Sequence, residues 1–94
     1  MEFEWNAEKR RSNIAKHGVD FLDAVGIFIG NVLERIDDRS DYGEVRVIAT
    51  GIVDTSVVTV VYTSRGEYRR IISARKAHTN ERRAYYQAYP TANE

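Results

Sequence analysis

The period of the apolar residues changes along the chain, and each change marks an element. Phe3-Glu4-Trp5 alternates and reads as a short strand. Asn6 then stands as the N-cap of a helix from about Ala7 to His17, with Glu8 in the first turn, where a carboxylate faces the positive end of the helix. Gly18 suits the left-handed stop position. This helix is strongly polar, and its main apolar anchors, Ala7 and Ile14, lie one heptad apart, so it can bury only a narrow stripe. Asp20 caps a second helix in which Phe21, Ala24, Val25 and Phe28 recur at three- and four-residue spacing, until Gly30-Asn31 ends it. Val32 to Ile36 reads as a strand, broken by the charges and turn formers of Asp37-Asp38-Arg39-Ser40-Asp41, which predict a surface loop.

From Glu44 onward the pattern is that of strands. Val45–Asp54, Val57–Ser64 and Glu67–Lys76 are separated by Thr55-Ser56 and by Arg65-Gly66, junctions short enough for hairpins, so an antiparallel meander is predicted. Val57-Val58-Thr59-Val60-Val61-Tyr62 is β-branched almost throughout and suits a central strand buried on both faces. A last helix from about Thr79 to Tyr89 carries Tyr85 and Tyr89 one turn apart, with Tyr86 beside them; these rings are expected to pack rather than react.

Ninety-four residues allow one sheet-and-helix core and no separate substrate domain, so a single domain over residues 1–94 is expected. With no cysteine there is no disulfide, thiolate nucleophile or Cys-based zinc site. The start lacks the basic and then apolar regions of a signal peptide, and no apolar run approaches a membrane span, so the cytoplasm is the expected location and no membrane partner is expected.

The chain has 14 Lys and Arg against 14 Asp and Glu, but they are unevenly spread. Asp20 to Asp54 holds eight acids against Arg35, Arg39 and Arg46, whereas Ser64 to Arg83 holds seven bases against Glu67 and Glu81. Either the basic segment meets phosphate while the acidic one meets another surface, or the two lie side by side and neutralise each other.

If strand 68–76 alternates regularly, Arg69, Ile71, Ser73 and Arg75 face one way and Arg70, Ile72, Ala74 and Lys76 the other. Its arginines either reach phosphate, which the guanidinium fork suits, or pair with Glu44 or Asp54 on neighbouring strands. His17, on a helix face shared with Arg10, Asn13 and Ile14, either serves as a general base or interacts favourably with the helix C-terminus. His78, just before the last helix, reads as a poor cap rather than a catalyst. The two histidines are far apart, no metal-ligand spacing occurs, and Asp37-Asp38 with Asp41 reads as a solvated loop; no metal or other cofactor is expected. Phosphate-binding glycine loops and the serine-hydrolase elbow are also absent.

Several blocks together resemble a known family: Phe3-Glu4-Trp5-Asn6, Lys9, Asn13, Lys16-His17-Gly18-Val19, Phe21, Ala24, Phe28, Glu44, Arg46, Val60-Val61-Tyr62-Thr63, Arg65-Gly66 and Arg70-Ile71-Ile72-Ser73-Ala74-Arg75-Lys76-Ala77. In this order, and over nearly the whole chain, they are similar to the BrnT toxins of type II toxin-antitoxin systems. The resemblance implies an α+β, RelE-like fold, a small antiparallel sheet packed with two N-terminal helices and a C-terminal helix. It also implies a toxin that arrests translation by cleaving RNA, and a BrnA-type antitoxin through which the pair reaches operator DNA. The charge polarity and the resemblance together predict that this antitoxin covers the basic surface around Arg65 and Arg75.

Set beside that family, the residues suggest RNA cleavage without a metal: a base takes the ribose 2′-hydroxyl proton, the oxygen attacks the adjacent phosphate, and cations stabilise the developing charge. His17 is the candidate base, with Glu44 as the alternative. Lys9, Arg65 and Arg75 are the candidate electrostatic groups, and Arg46, Arg69, Lys76 and Arg83 the candidate RNA-backbone contacts. A non-catalytic RNA- or ribosome-binding module and a protein-interaction adaptor are the competing readings. The chain departs from the family at Ile29-Gly30, where Asp-Pro is usual, and at Asp54-Thr55-Ser56, where the hairpin often carries an arginine.

Overall fold

The β-branched run lies at the centre of the molecule. In the computed structural model, which describes residues 2–39 and 41–93, it belongs to a strand Ser56–Arg65 in which every residue from Val57 to Thr63 is buried. In chain order the elements are β1 (Glu2–Glu4), α1 (Ala7–His17), α2 (Phe21–Ala24), a 3₁₀ segment (Val25–Ile29), β2 (Leu33–Asp37), β3 (Arg46–Val53), β4 (Ser56–Arg65), β5 (Tyr68–Lys76), α3 (Thr79–Ala88) and a 3₁₀ turn (Pro90–Asn93). The strands form one sheet in the order β1-β5-β4-β3-β2. The expected meander β3-β4-β5 is present and β2 extends it antiparallel, but β1 pairs parallel with β5, so the sheet is mixed rather than wholly antiparallel. The parallel edge arises because the chain leaves β1 through α1 and returns only after the meander has formed.

The second N-terminal helix is also shorter than its pattern predicts. Asp20 does cap it, its carboxylate accepting the Leu22 N–H at 3.0 Å, but α-helix ends at Ala24 and a tighter 3₁₀ segment follows. The residues buried from this stretch are Phe21, Ala24 and Ile27, three apart, and a helix of three residues per turn aligns that spacing. Ile27 presses on Gly51, where an added Cβ would lie 2.7 Å from the Ile27 Cβ. Phe21, Ala24 and Ile27 pack on Ala49, Val58, Val60, Tyr62, Ile71 and Ala74, with Phe3, Trp5, Phe28 and Val47 at the margins. This is the core face of the sheet.

α1 follows its cues closely. The Asn6 side chain accepts from the Glu8 and Lys9 N–H groups, and Gly18 ends the helix at φ 70°. Its single buried residue is polar. Asn13 donates to the carbonyls of Val19 and Ala74 and accepts from the Ala74 N–H at 3.2 Å, so its amide substitutes for a neighbouring strand beside β5 where β1 has ended. Arg10 locks the other flank with a two-pronged pair to Asp20 at 2.7 and 2.8 Å. Among the described residues no helix is long and apolar enough to cross a membrane.

Candidate active site

A β-bulge decides which arginines share a face. Val61 is opposite Ser73 and Tyr62 opposite Ile71, so Ile72 has no partner on β4. Regular alternation therefore fails in mid-strand. Arg70 joins Ser73 and Arg75 on the side of α3, while Arg69 and Ile71 fall on the core face with Ala74 and Lys76. The expected grouping of Arg69 with Arg75 is thus corrected by one inserted residue. Antiparallel partners share a side, which adds Arg65 from β4, Arg46 from β3 and Arg35 from β2 to the α3 side. Five arginines, Arg35, Arg46, Arg65, Arg70 and Arg75, converge there from four strands.

Each of them has a carboxylate neighbour. Glu44 lies between Arg46, 3.2 Å away, and Arg65, 3.8 Å away, and Arg46 also covers the Tyr42 ring at 4.0 Å. Arg70 reaches Glu4 at 3.4 Å. Arg75 grips Glu81 with both prongs at 2.6 and 3.0 Å, and Arg35 stands 3.8 Å from the same carboxylate. Acidic and basic segments therefore do neutralise each other in part, through Glu44 with Arg65. Arg75 itself pairs with Glu81 of α3, not with Glu44 or Asp54.

Glu81 sits deepest in this network, its side chain only 7% exposed. It also accepts from the Thr59 hydroxyl at 3.2 Å and from the His78 N–H at 2.8 Å, and Thr59 touches Thr50 at 3.0 Å. Burial opposes its charge, but the Arg75 hydrogen bonds, the His78 N–H and Thr59 together outweigh burial and hold its carboxyl down at about 2. His78, without a side-chain bond to cap the helix, begins α3 through this backbone donation to Glu81. Beside the network, Leu33, Arg35, Ile48, Thr50, Asn80, Glu81 and Ala84 line a cleft of about 310 Å³.

The α1 residues stand at the β5 edge of the same surface. Lys9, Ser12, Asn13, Lys16 and His17 line a groove of about 220 Å³ with Ile72 and Ser73 of β5. Ser73 lies between Arg70 and Arg75 on the arginine face, so it joins this groove to that face. No hydrogen bond or ion pair among the described residues links His17 to Arg75 or to Glu44. Among the described residues Lys9 and Lys16 form no ion pair, and no three His, Cys, Asp or Glu side chains gather as metal ligands.

A family model described as "Ribonuclease toxin, BrnT, of type II toxin-antitoxin system" matches residues 5–81 of the 94-residue chain. The chain belongs to the BrnT family. Its members are ribonuclease toxins, and a type II system implies an antitoxin partner. No curated protein matches the chain. In this BrnT chain the candidate groups divide into a helix-edge groove with His17 and Lys9, an outer cluster with Glu44, Arg46 and Arg65, and a deep pair centred on Arg75. Arg69 and Lys76 lie on the other side of the sheet, and Arg83 is exposed on α3. Arg35, Arg70 and Glu81, not expected from the sequence, join the candidate groups. Only the bulge brings Arg70 across, and an unpaired isoleucine within Arg70-Ile71-Ile72-Ser73 leaves no mark in composition.

Proposed function

We propose that this BrnT chain is an endoribonuclease that needs no metal ion and cuts RNA on the α3 side of its sheet, arresting translation in the cytoplasm until a BrnA-type antitoxin neutralises it. The observation that carries this reading is the convergence of five arginines on a face whose edge holds His17 and Lys9. A phosphodiester crossing such a face meets two-pronged donors from several strands. His17 takes the proton of a 2′-hydroxyl, that oxygen bonds to the adjacent phosphorus, and the bond from phosphorus to the 5′ oxygen breaks as the leaving oxygen takes up a proton. A 2′,3′-cyclic phosphate and a 5′-hydroxyl result. Lys9 and Arg65 face the charge that develops on the phosphate. Arg46 holds the strand with Arg35 and Arg70, and Arg83 extends the cationic surface along α3.

Arg75 is part of this surface under a constraint. Its fork is engaged by Glu81, so Arg75 both stabilises the fold and supplies positive charge beside Ser73. Arg75→Lys therefore reports on stability as well as chemistry. Arg65, with 57% of its side chain exposed, is the cleaner probe. Glu44 is the alternative base, because two guanidinium groups flank it and a phosphate drawn to them would lie beside its carboxylate.

The test is cleavage of a single-stranded RNA by purified protein, with ends mapped. His17→Gln is expected to leave the melting temperature unchanged while the rate falls by roughly 10² to 10⁴. Full activity in His17→Gln with loss in Glu44→Gln would transfer the base to Glu44, and 3′-hydroxyl ends would refute the in-line mechanism altogether.

A further inference from the structure

Arg69 is unlike the arginines of the opposite face. It lies half-buried over two rings, 4.5 Å from the centre of Phe28 and 4.9 Å from that of Tyr62, and among the described residues it has neither a carboxylate partner nor a hydrogen bond. Stacking fixes the guanidinium plane and leaves its donor edge unused. The nearby carboxylate, Glu34, is already taken by the Tyr62 hydroxyl at 2.6 Å. Burial and that hydrogen bond to Glu34 push the Tyr62 hydroxyl up to about 12.

The surroundings are apolar. Ile36 and Val47 are direct partners on this side of the sheet, and Val45 immediately precedes β3. Ile36 is 57% exposed and Val45 64%. Ile29, which ends the 3₁₀ segment next to Phe28, is almost wholly exposed. Here the core face runs out from under its covering, leaving exposed aliphatic side chains on the same face as one oriented cation. Exposed aliphatics beside the Glu34 carboxylate suit a protein partner better than an RNA strand, which would bring phosphates against Glu34.

We infer that the Arg69, Ile36 and Val45 surface is an anchor for the antitoxin, and that the occupant is a segment carrying an Asp or Glu between apolar residues, its carboxylate gripped by the Arg69 fork. The charge complementarity is specific: a planar donor pair without an acceptor, set in an apolar rim, calls for a carboxylate rather than for a hydroxyl or an amide. This anchor lies on the side of the sheet away from the five arginines. It rests on family membership and not on the proposed catalytic chemistry, so the two stand or fall separately.

The test uses the full chain and its cognate antitoxin, with affinity measured by calorimetry or biolayer interferometry. Arg69→Gln and Ile36→Asp are each expected to weaken the complex by roughly 30-fold or more, as for a central interface contact. Ile36→Asp should leave RNA cleavage by the free toxin unchanged. Val45→Asp, at another exposed position, should repeat the Ile36→Asp result if either of the first two variants folds poorly. Unchanged affinity in all three variants would overturn the anchor. So would unchanged affinity in Arg69→Gln with a flatter salt dependence of RNA binding, which would mark Arg69 as an RNA contact.

Discussion

The two faces of this sheet are held by different physics. On the core face, Phe21, Ala24 and Ile27 lie in the groove over β3, β4 and β5 with side chains fully or nearly fully buried, and the stabilisation is apolar area removed from water. On the α3 face, five arginines and the carboxylates they pair with, Glu4, Glu44 and Glu81, stand where a second layer of hydrophobic packing could have been. The buried apolar residues of its central strands are Ile48, Val57 and Val61, beside Thr50, Thr59 and Thr63. The difference shows that one face keeps the chain folded while the other is free to hold charge, by close pairing at Arg75 and by exposure at Arg35 and Arg65.

The largest expected effect breaks the comparison from the apolar side. Phe21→Ala empties a fully buried site and should cost about 3–5 kcal/mol in chemical denaturation. Glu81→Gln tests the charged side: it leaves the Arg75 guanidinium without its counter-charge and should cost about 2–3 kcal/mol, less than a fully buried pair because Arg75 is 23% exposed. If Glu81→Gln proved the more damaging of the two, the polar network would be the main support of the fold and the contrast would fail.

Acid sharpens the same contrast. Glu81 titrates near 2 in the folded chain, down from 4.5, and Asp20 near 2, down from 3.8 because Arg10 and the Leu22 N–H bind its charged form. Carboxyls depressed by folding add stability that is complete above their unfolded values and lost as pH falls through their folded ones. Unfolding free energy should therefore decline between about pH 4.5 and 2, and Glu81→Gln should flatten the decline. An identical pH profile in the variant would remove Glu81 from the account. The smallest effect concerns RNA. Arg65→Ala should lower the slope of log affinity against log salt by roughly 0.7 for a lost single-strand phosphate contact, without a change in melting temperature.

Much of the fold was legible in the sequence, where local rules act alone. Asn6, Gly18 and Asp20 cap as their chemistry requires, and β3, β4 and β5 end within a residue or two of the expected boundaries because turn formers punctuate them. β1 could be read as a strand but not as a parallel one, since its partner lies more than 60 residues away. The shortened α2 was hidden because Val25 and Phe28 fit a 3.6-residue face as well as Ile27 fits a three-residue one, and the close approach of Gly51 chooses between them. Of the candidate site, the residue types were legible and their grouping was not. Lys9 and His17 share a helix and are found together, whereas Arg69, Arg70 and Arg75 depend on a register that β4 imposes on β5. Asn13, read only as part of a polar helix face, proves to be the residue that joins α1 to the sheet.

The unpaired Ile72 acts as a parity switch. Every residue of β5 before it, and β1 through its register with β5, takes its side of the sheet from whether that extra position is present. Removing one isoleucine would exchange Arg69 for Arg70, turn Phe3 and Glu4 over with them, and send a stacked cation to the α3 side and an ion-paired one into the core. A length change of one residue at this point is therefore a larger chemical event than most substitutions of the arginines themselves, and aligned chains of this family are comparable in charge only after that position has been matched.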